Sequence, residues 1–128
     1  MSVENTATLA QINPKDINSV IIKAIQDIKG KNITKIDLTD IEDSPTDYFI
    51  ICEGDSTTQV RAIAQSISKE TRKALGIKAF HTEGLNNNKW VLVDYFDTVV
   101  HVFHKETRAF YDIEDLWSDG NFTEYQDL

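Results

Sequence analysis

The stretch WVLVDYFDTVVHVF, residues 90–103, is a long apolar run interrupted by two aspartates. Its alternation predicts two antiparallel strands that meet at a tight turn formed by Phe96 and Asp97. In this register one face of the hairpin is almost wholly aliphatic and is predicted to lie against the core. The other face would carry Trp90, Leu92, Asp94, Val99, His101 and Phe103.

The mixed character of this second face has two interpretations. A face that combines aromatic and aliphatic side chains with one acid and one imidazole is too apolar for ordinary surface, which favours a docking patch for another protein. Alternatively, helices cover both faces and the polar groups are satisfied inside. The register is also open, because Phe96 is poorly suited to a turn position with positive φ, and a shift of one residue would exchange the faces.

Apolar residues at helical spacing predict two amphipathic helices before the hairpin. The first is predicted to begin with Asn13 as its cap and Pro14 in its first turn, and to end at Gly30. The second is predicted to run from a capping box at Ser56 to a left-handed Gly76. Strand-like segments occur at 33–39, 48–52 and 78–83.

A short C-terminal helix is predicted after the hairpin. It is built around Tyr111, Ile113, Leu116 and Trp117. The full order is therefore helix, strand, strand, helix, strand, strand, strand, helix. This order predicts an α/β fold with a mixed sheet of about five strands and flanking helices, in which the strands before and after the second helix form a crossover unit.

The length of 128 residues suits a single hydrophobic core, which we place at 13–117 between a flexible arm at 1–12 and an acidic tail at 118–128. The tail is expected to be solvated. No apolar run reaches the roughly 18 to 20 residues of a membrane span, and the N-terminus lacks the features of a signal peptide. The single cysteine agrees with a reducing compartment, so a soluble, cytoplasmic protein is expected.

The formal net charge of −8 disfavours one class of partner. A protein that holds nucleic acid mainly by its phosphates needs a concentrated positive surface, and here 21 acids outnumber 13 bases. Primary binding to RNA or DNA is therefore not expected.

A metal-dependent nucleotidyltransferase is the sharpest enzymatic alternative. Such enzymes combine a Gly-Ser bend before a helix with two carboxylates one residue apart on a strand. Gly54 and Ser56 match the first element, although Ser56 is more simply a helix cap. Asp94 and Asp97 do not match the second, because residues three apart on a strand point to opposite sides.

Metal binding and thiol chemistry are not expected either. His101 and His104 are also three apart, so an extended strand would send their rings to opposite faces. Cys52 stands in an apolar strand without a basic neighbour and is predicted to pack as a small hydrophobe. No glycine-rich phosphate loop occurs, and no cofactor is expected.

Three stretches resemble the ribosomal silencing factor family, also called the Iojap-related proteins. They are TDYFIICEGDSTTQVRAIA (46–64), EGLNNNKWVLVDYFDTVVHVF (83–103) and RAFYDIEDLW (108–117). Motifs within them, such as Asp47-Tyr48-Phe49, Glu83-Gly84, and Trp90 with Leu92 and Asp94, follow the family's order. One position departs from the family. Where the family's hairpin usually has glycine this chain has Phe96, so either the turn differs or Phe96 projects toward a partner.

The resemblance implies a nucleotidyltransferase-like α/β fold without catalytic carboxylates, no enzymatic activity and no cofactor. It also implies binding to large-subunit ribosomal protein fourteen on the face that would meet the small subunit. Occupying that face would block subunit joining and repress translation when nutrients are limiting. Some relatives are implied to form homodimers. Self-association through the Trp90 face and a residual nucleotide-binding enzyme therefore remain alternatives.

Taken together with the hairpin pattern, the resemblance assigns roles on the second face. Trp90 and Phe103 are predicted to be apolar anchors for the partner, and Leu92 to fill the space between them. Asp94 is predicted to pair with a basic residue of the ribosomal protein, and His101 to make a polar contact. A separate set, Tyr95, Arg108 and Tyr111, is expected to hold the C-terminal helix to the sheet.

Overall fold

The computed structural model describes residues 16–128. Four helical segments in this range are α1 (Ile17–Asp27), α2 (Thr57–Leu75), α3 (Lys105–Tyr111) and α4 (Ile113–Leu116). The six strands are β1 (Lys31–Asp37), β2 (Tyr48–Gly54), β3 (His81–Glu83), β4 (Trp90–Asp94), β5 (Thr98–His104) and β6 (Asn121–Tyr125).

The strands form one mixed sheet in the order β3-β4-β5-β2-β1-β6. Only β2 and β5, at the centre, pair in parallel, and the other neighbours are antiparallel. The predicted α/β class and mixed sheet are confirmed. The helix α2 leads from β2 to β3 as a crossover, but β3 lies at the far edge, and the parallel partner of β2 is β5.

The sheet has six strands rather than about five, because part of the expected acidic tail is a strand. Asn121–Tyr125 pairs with β1 along its length. Tyr125 packs against the core, and the Asp127 carboxylate accepts a hydrogen bond from the Asn32 backbone N–H at 3.0 Å. This segment is acidic and contains few apolar residues, so its sequence did not indicate the edge strand that it forms.

The first helix begins later than the sequence indicated. Its cap is Asp16, whose carboxylate accepts a hydrogen bond from the Asn18 backbone N–H at 3.2 Å. The predicted cap Asn13 and the following Pro14 lie outside the described residues. We therefore find the start of α1 at Ile17, with an aspartate in the role that had been given to an asparagine.

The chain leaves α1 with Lys29, not Gly30, in the left-handed conformation, at φ 62°. Gly30 is needed for a different reason, since a Cβ atom there would lie 2.3 Å from the Cγ2 atom of Ile25. At the second helix the predicted first and last residues are confirmed, but the capping box is incomplete, because the Gln59 side chain accepts from the Asp55 N–H and not from that of Ser56. Ser56 caps α2 through a 3.1 Å bond from the Gln59 N–H, and Gly76 ends it at φ 66°.

The core lies on both faces of the sheet. Helices α1 and α2 cover one face, and we call the buried residues there the first core. Its strand residues include Ile50, Cys52, Val91, Val93, Val100 and Val102. The second core lies on the opposite face and comprises Ile36, Leu38, Phe49, Ile51, Phe103 and Ile113. Cys52 is buried as predicted, and burial raises the pKa of its thiol to about 12.

The C-terminal segment forms two short helices instead of one. They are separated by Asp112, which adopts the left-handed conformation at φ 45°. Ile113 and Trp117 pack against the second core as expected. Tyr111 and Leu116 are exposed.

Candidate protein-binding surface

The hairpin has the register that its alternation predicted. Trp90 lies opposite Phe103, Leu92 opposite His101, and Asp94 opposite Val99. The aliphatic face, with Val91, Val93, Val100 and Val102, is fully buried in the first core. This confirms which residues share each face.

The hairpin ends in a strained turn centred on Phe96. Phe96 has φ 78°, and the N–H of Asp97 donates to the carbonyl of Tyr95 at 3.0 Å, a hydrogen bond typical of a γ-turn. The Phe96 side chain is 74% exposed. Its ring contacts that of Phe80, with centroids 6.1 Å apart. Phe96 therefore occupies a turn position that normally favours glycine and projects its side chain outward.

Asp94 supports this turn from the side. Its carboxylate accepts a hydrogen bond from the Phe96 backbone N–H at 2.7 Å, as in an Asx turn. Asp94 is also half-buried beside the edge strand, where it lies opposite His81. One oxygen is thus committed to the turn, and the charge of the group remains available at the surface.

The second face of the hairpin is more covered than the docking hypothesis required. Phe103 has no exposed surface and His101 is only 5% exposed. The predicted roles of Phe103 as an anchor and of His101 as a direct polar contact do not fit this geometry, because α3, α4 and Trp117 close over the middle of the sheet. Phe103 belongs to the second core, and His101 packs against Phe49 and Phe103 of that core.

Trp90 stands at the edge of this cover. Its indole is half-buried and packs against the ring of Phe103, with centroids 4.8 Å apart, and against Tyr111 at 4.9 Å. The indole Nε1–H donates to Nδ1 of His101 at 3.1 Å. Gly84 has φ 96° and lies so close to the Trp90 carbonyl that a Cβ atom would be 2.1 Å from it.

The histidine beneath Trp90 is held in its neutral form. Because Nδ1 accepts the indole hydrogen bond, the ring proton is on Nε2, which is buried and has no hydrogen-bond partner within residues 16–128. Desolvation lowers the pKa of His101 to about 4. The Phe49 ring meets the imidazole edge to face at 4.7 Å. His101 is therefore a buried support for Trp90.

We call the exposed parts of Trp90, Leu92, Asp94, Val99 and Tyr111 the hairpin surface. All of these residues except Tyr111 lie on one face of β4 and β5, and α3 supplies Tyr111 beside Trp90. Three of the five predicted site residues, Trp90, Leu92 and Asp94, belong to it. The surface is an apolar strip that the helices leave partly open.

Two exposed apolar residues on the C-terminal helices were not predicted at a site, and one of them, Phe110, extends the strip. Phe110 is 80% exposed and contacts the ring of Tyr111 at 5.0 Å, and Leu116 is 75% exposed. The adjacent aromatic residues in RAFYD were the available signal, because neighbouring residues on a helix cannot both face the same core.

Four carboxylates lie next to residues of this apolar strip, either in the sheet or in the chain. Asp94 and Glu83 lie on the sheet side, where Glu83 pairs with Leu92, and Asp112 and Asp115 adjoin Tyr111 and Leu116 in the chain. An apolar centre with an acidic rim is complementary to a basic protein with an exposed apolar patch.

Arg108 and Tyr95 were both expected to hold the C-terminal helix to the sheet, and only Arg108 does so. Arg108 fastens α3 to the sheet, with Nη1 donating to the Asn32 carbonyl at 2.6 Å and Nη2 to Glu114 at 2.8 Å. Tyr95 instead faces the first core, where its hydroxyl shares a 2.8 Å hydrogen bond with Thr71 of α2. The prediction is confirmed for Arg108 and is wrong for Tyr95, which lies on the opposite face from the C-terminal helices.

The Gly54–Ser56 bend is occupied by local contacts. Ser56 caps α2, and the Gln59 side chain accepts a hydrogen bond from the Asp55 N–H at 2.7 Å. Asp55 forms an ion pair with Lys31 at 3.1 Å. In residues 16–128 no three His, Cys, Asp or Glu side chains come together as a metal site would require. No helix of this part of the chain is long and apolar enough to cross a membrane.

These features describe an α/β protein with an apolar, acid-rimmed surface suited to binding another protein. Residues 11–128 match the family model described as ribosomal silencing factor during starvation. The chain belongs to the ribosomal silencing factor family. This match includes residues 118–128, which the three motif stretches did not cover.

Individual relatives agree with this assignment. The chain is 42% identical over 109 residues to ribosomal silencing factor RsfS of Bacillus subtilis, covering 85% of this chain and 91% of the relative. It is 36% identical over 112 residues to RsfS of Halalkalibacterium halodurans, covering 88% and 94%. A crystal structure of a Chromobacterium violaceum protein superposes with a TM-score of 0.76 at 39% identity, covering 83% of this chain and 87% of that one.

Proposed function

We propose that this protein binds the large ribosomal subunit through ribosomal protein fourteen and blocks its association with the small subunit. It would repress translation in the cytoplasm under nutrient limitation, by steric occlusion and without catalysis. The family membership supports the ribosomal target.

The partly exposed indole of Trp90 carries the proposal. Its orientation is fixed by His101 and by ring contacts with Phe103 and Tyr111, so little conformational entropy is lost when a partner covers it. Central aromatic residues of this kind supply much of the binding energy at protein interfaces. Leu92 would fill the space beside it, and Asp94 would face a basic group of the ribosomal protein.

The first test is sedimentation of the purified protein with ribosomal particles on sucrose gradients. We expect it to travel with free large subunits and to be absent from joined ribosomes. Preincubation with large subunits should reduce the yield of joined particles when small subunits are added. Equal distribution between free subunits and joined ribosomes would contradict occlusion.

The second test locates the interface by titrating variants against purified large subunits and against isolated ribosomal protein fourteen. We expect Trp90→Ala to lower affinity for both by at least about 2 kcal/mol, roughly thirtyfold. Leu92→Ala should weaken both in the same direction. The control is Phe122→Ala, which removes a partly exposed aromatic residue from β6, at the other edge of the sheet.

Trp90→Ala will also lower the melting temperature, because the indole packs on Phe103 and Tyr111. Titrations are therefore compared well below the melting midpoint of each variant, and Leu92→Ala provides a second, less buried probe. If Trp90→Ala and Phe122→Ala bound equally well, the hairpin surface would not be the contact.

A further inference from the structure

A groove lies between the C-terminal half of α2 and the edge strand β3, on the opposite face of the sheet from the hairpin surface. Its volume is about 670 Å³. The lining consists of small or apolar residues, hydrogen-bonding residues and bases. These are Ala64, Gln65, Ser68, Lys69, Arg72, Lys73, Lys78, Ala79, Thr82 and Leu85.

The groove concentrates positive charge in an acidic chain. Four of the 13 lysines and arginines line it, and no carboxylate does, although the protein has a net charge of −8. All four bases are exposed, and within residues 16–128 none forms an ion pair. Among the other lysines and arginines of residues 16–128, four are paired with a carboxylate, namely Lys23, Lys31, Lys105 and Arg108, and four are not, namely Lys29, Lys35, Arg61 and Lys89.

Helix stability explains only part of this arrangement. Arg72 and Lys73 lie in the last turn of α2, where positive charge interacts favourably with the helix dipole. Lys69 lies about one turn earlier, and Lys78 follows the helix and joins the groove from the chain leading to β3. Bases from two segments therefore face one cavity, which the dipole does not require.

The groove and the hairpin surface meet at the edge strand β3. Thr82 lines the groove, whereas its neighbour Glu83 pairs with Leu92 of the hairpin surface. Successive residues of a strand point to opposite faces, so the two sites lie back to back along one three-residue strand. A large partner that covers the hairpin surface and extends past this edge would meet the basic groove next.

We propose that the groove binds the phosphate backbone of ribosomal RNA on the large subunit, as a second contact beside the ribosomal protein. This inference rests on the proposed function, because it needs the large subunit as partner. Unpaired lysines and arginines bind phosphates without sequence preference, and Gln65 and Ser68 offer additional donors to the backbone. Since the rest of the molecule is acidic, the groove also sets which side of the protein faces RNA.

The test uses the full chain with Lys69→Gln, Arg72→Gln and Lys78→Gln combined. A control of equal charge change combines Lys29→Gln, Lys31→Gln and Lys35→Gln, just before and within β1, which lies on the other side of the sheet from β3. Affinity for purified large subunits is measured over a range of salt concentrations, and affinity for isolated ribosomal protein fourteen at one concentration.

We expect the groove variant to bind large subunits at least about tenfold more weakly at low salt, with a salt dependence shallower by about 2 in log–log slope, because each lost phosphate contact removes about 0.7 to 0.9. The control variant should behave like the parent. Both variants should bind isolated ribosomal protein fourteen as tightly as the parent does.

Other results would overturn the inference. An unchanged salt slope and affinity in the groove variant, with the parent bound normally, would remove the RNA contact and leave the proposed function intact. Weaker subunit binding with an unchanged slope would show that the three bases do not contact phosphates and would remove the RNA contact. Failure of the parent itself to bind large subunits would remove both proposals together.

Discussion

At the residue scale, the partly buried Trp90 depends on a histidine that solvent hardly reaches. The imidazole of His101 accepts the indole hydrogen bond of Trp90 and lies between Phe49 and Phe103, with centroids at 4.7 and 6.1 Å. A charged imidazole could not accept that bond, because both of its nitrogens would be donors. The orientation of Trp90 is therefore linked to the neutral state of His101.

This linkage predicts a pH dependence of stability. Burial lowers the folded pKa of His101 from 6.5 to about 4, so the unfolded chain binds more protons between these values. The free energy of unfolding should fall by up to about 1.4 kcal/mol per pH unit as the pH decreases through this window. His101→Gln, which retains an acceptor for Trp90, should lack this component.

Urea denaturation at pH 7, 6 and 5 measures it. Groups shared by parent and variant, including the carboxylates with lowered pKa at Asp37 and Asp55, cancel in the difference between the two curves. Parallel losses of stability in parent and variant would show that His101 does not titrate in this way.

The residues that share each face of the hairpin could be predicted from the sequence, because side chains of a strand alternate between its two faces. The burial of these residues could not be predicted, since it depends on where the later helices α3 and α4 pack on the sheet. Phe103 and Trp90 lie opposite each other on the same face, yet one is sealed and the other half open. The difference arises from the position of α3 and α4. The sequences of these helices do not reveal how much of the sheet they cover.

At the scale of elements, the turn of the hairpin requires a backbone conformation that is unfavourable for the phenylalanine at its centre. Phe96 adopts φ 78°, where a side chain meets steric resistance that glycine avoids. The Asx contact from Asp94 and the ring contact with Phe80 offset part of this cost. Strain retained at an exposed aromatic residue suggests that the ring serves the surface rather than the fold.

We predict that Phe96→Gly raises the free energy of unfolding by about 1 kcal/mol and the melting temperature by about 3 °C. Phe96→Ala is the control, because it removes the ring and keeps the strained backbone, and it should not stabilise. Thermal melts of the three proteins provide the measurement. A decrease in melting temperature with glycine would mean that the Phe80 contact outweighs the backbone strain.

Elements with long apolar patterns were predicted more accurately than short, charged ones. The second helix, with Val60, Ile63 and Ile67 at helical spacing, was placed correctly from Ser56 to Gly76. The segment around Phe122 and Tyr125 contains too few apolar residues to indicate a strand. Its pairing with β1 depends on a neighbour more than ninety positions away (Ile33 with Tyr125), which local patterns cannot show.

At the scale of the whole molecule, the two edges of the sheet are protected differently. The edge strand β3 has only three residues, two of them His81 and Glu83 joined by a 2.6 Å hydrogen bond. At the other edge, β6 covers β1, which would otherwise present an open row of backbone groups beside Ile33 and Ile36. Short, charged edges limit pairing with other chains.

We predict that removing residues 121–128 lowers the free energy of unfolding and produces a concentration-dependent increase in mass, because β1 becomes a long open edge. Analytical ultracentrifugation and urea denaturation test this. Removing only Leu128, which is exposed, is the control and should change neither property. A truncated chain that stays monomeric and equally stable would show that β6 is dispensable.

The central parallel pair has a consequence for how the chain reaches this structure. Every partner in it is fifty positions away, from Tyr48 with Thr98 to Gly54 with His104. The neighbouring hairpin of β4 and β5 can form rapidly from local contacts, but it joins β2 only when this long loop closes, with a loss of chain entropy before the core is gained. We therefore expect the docking of the β4–β5 hairpin onto β2 to limit the folding rate. In a kinetic analysis of point variants, the ratio of the change in activation free energy to the change in stability (the folding φ-value) should be low at Tyr125 and high at Val100.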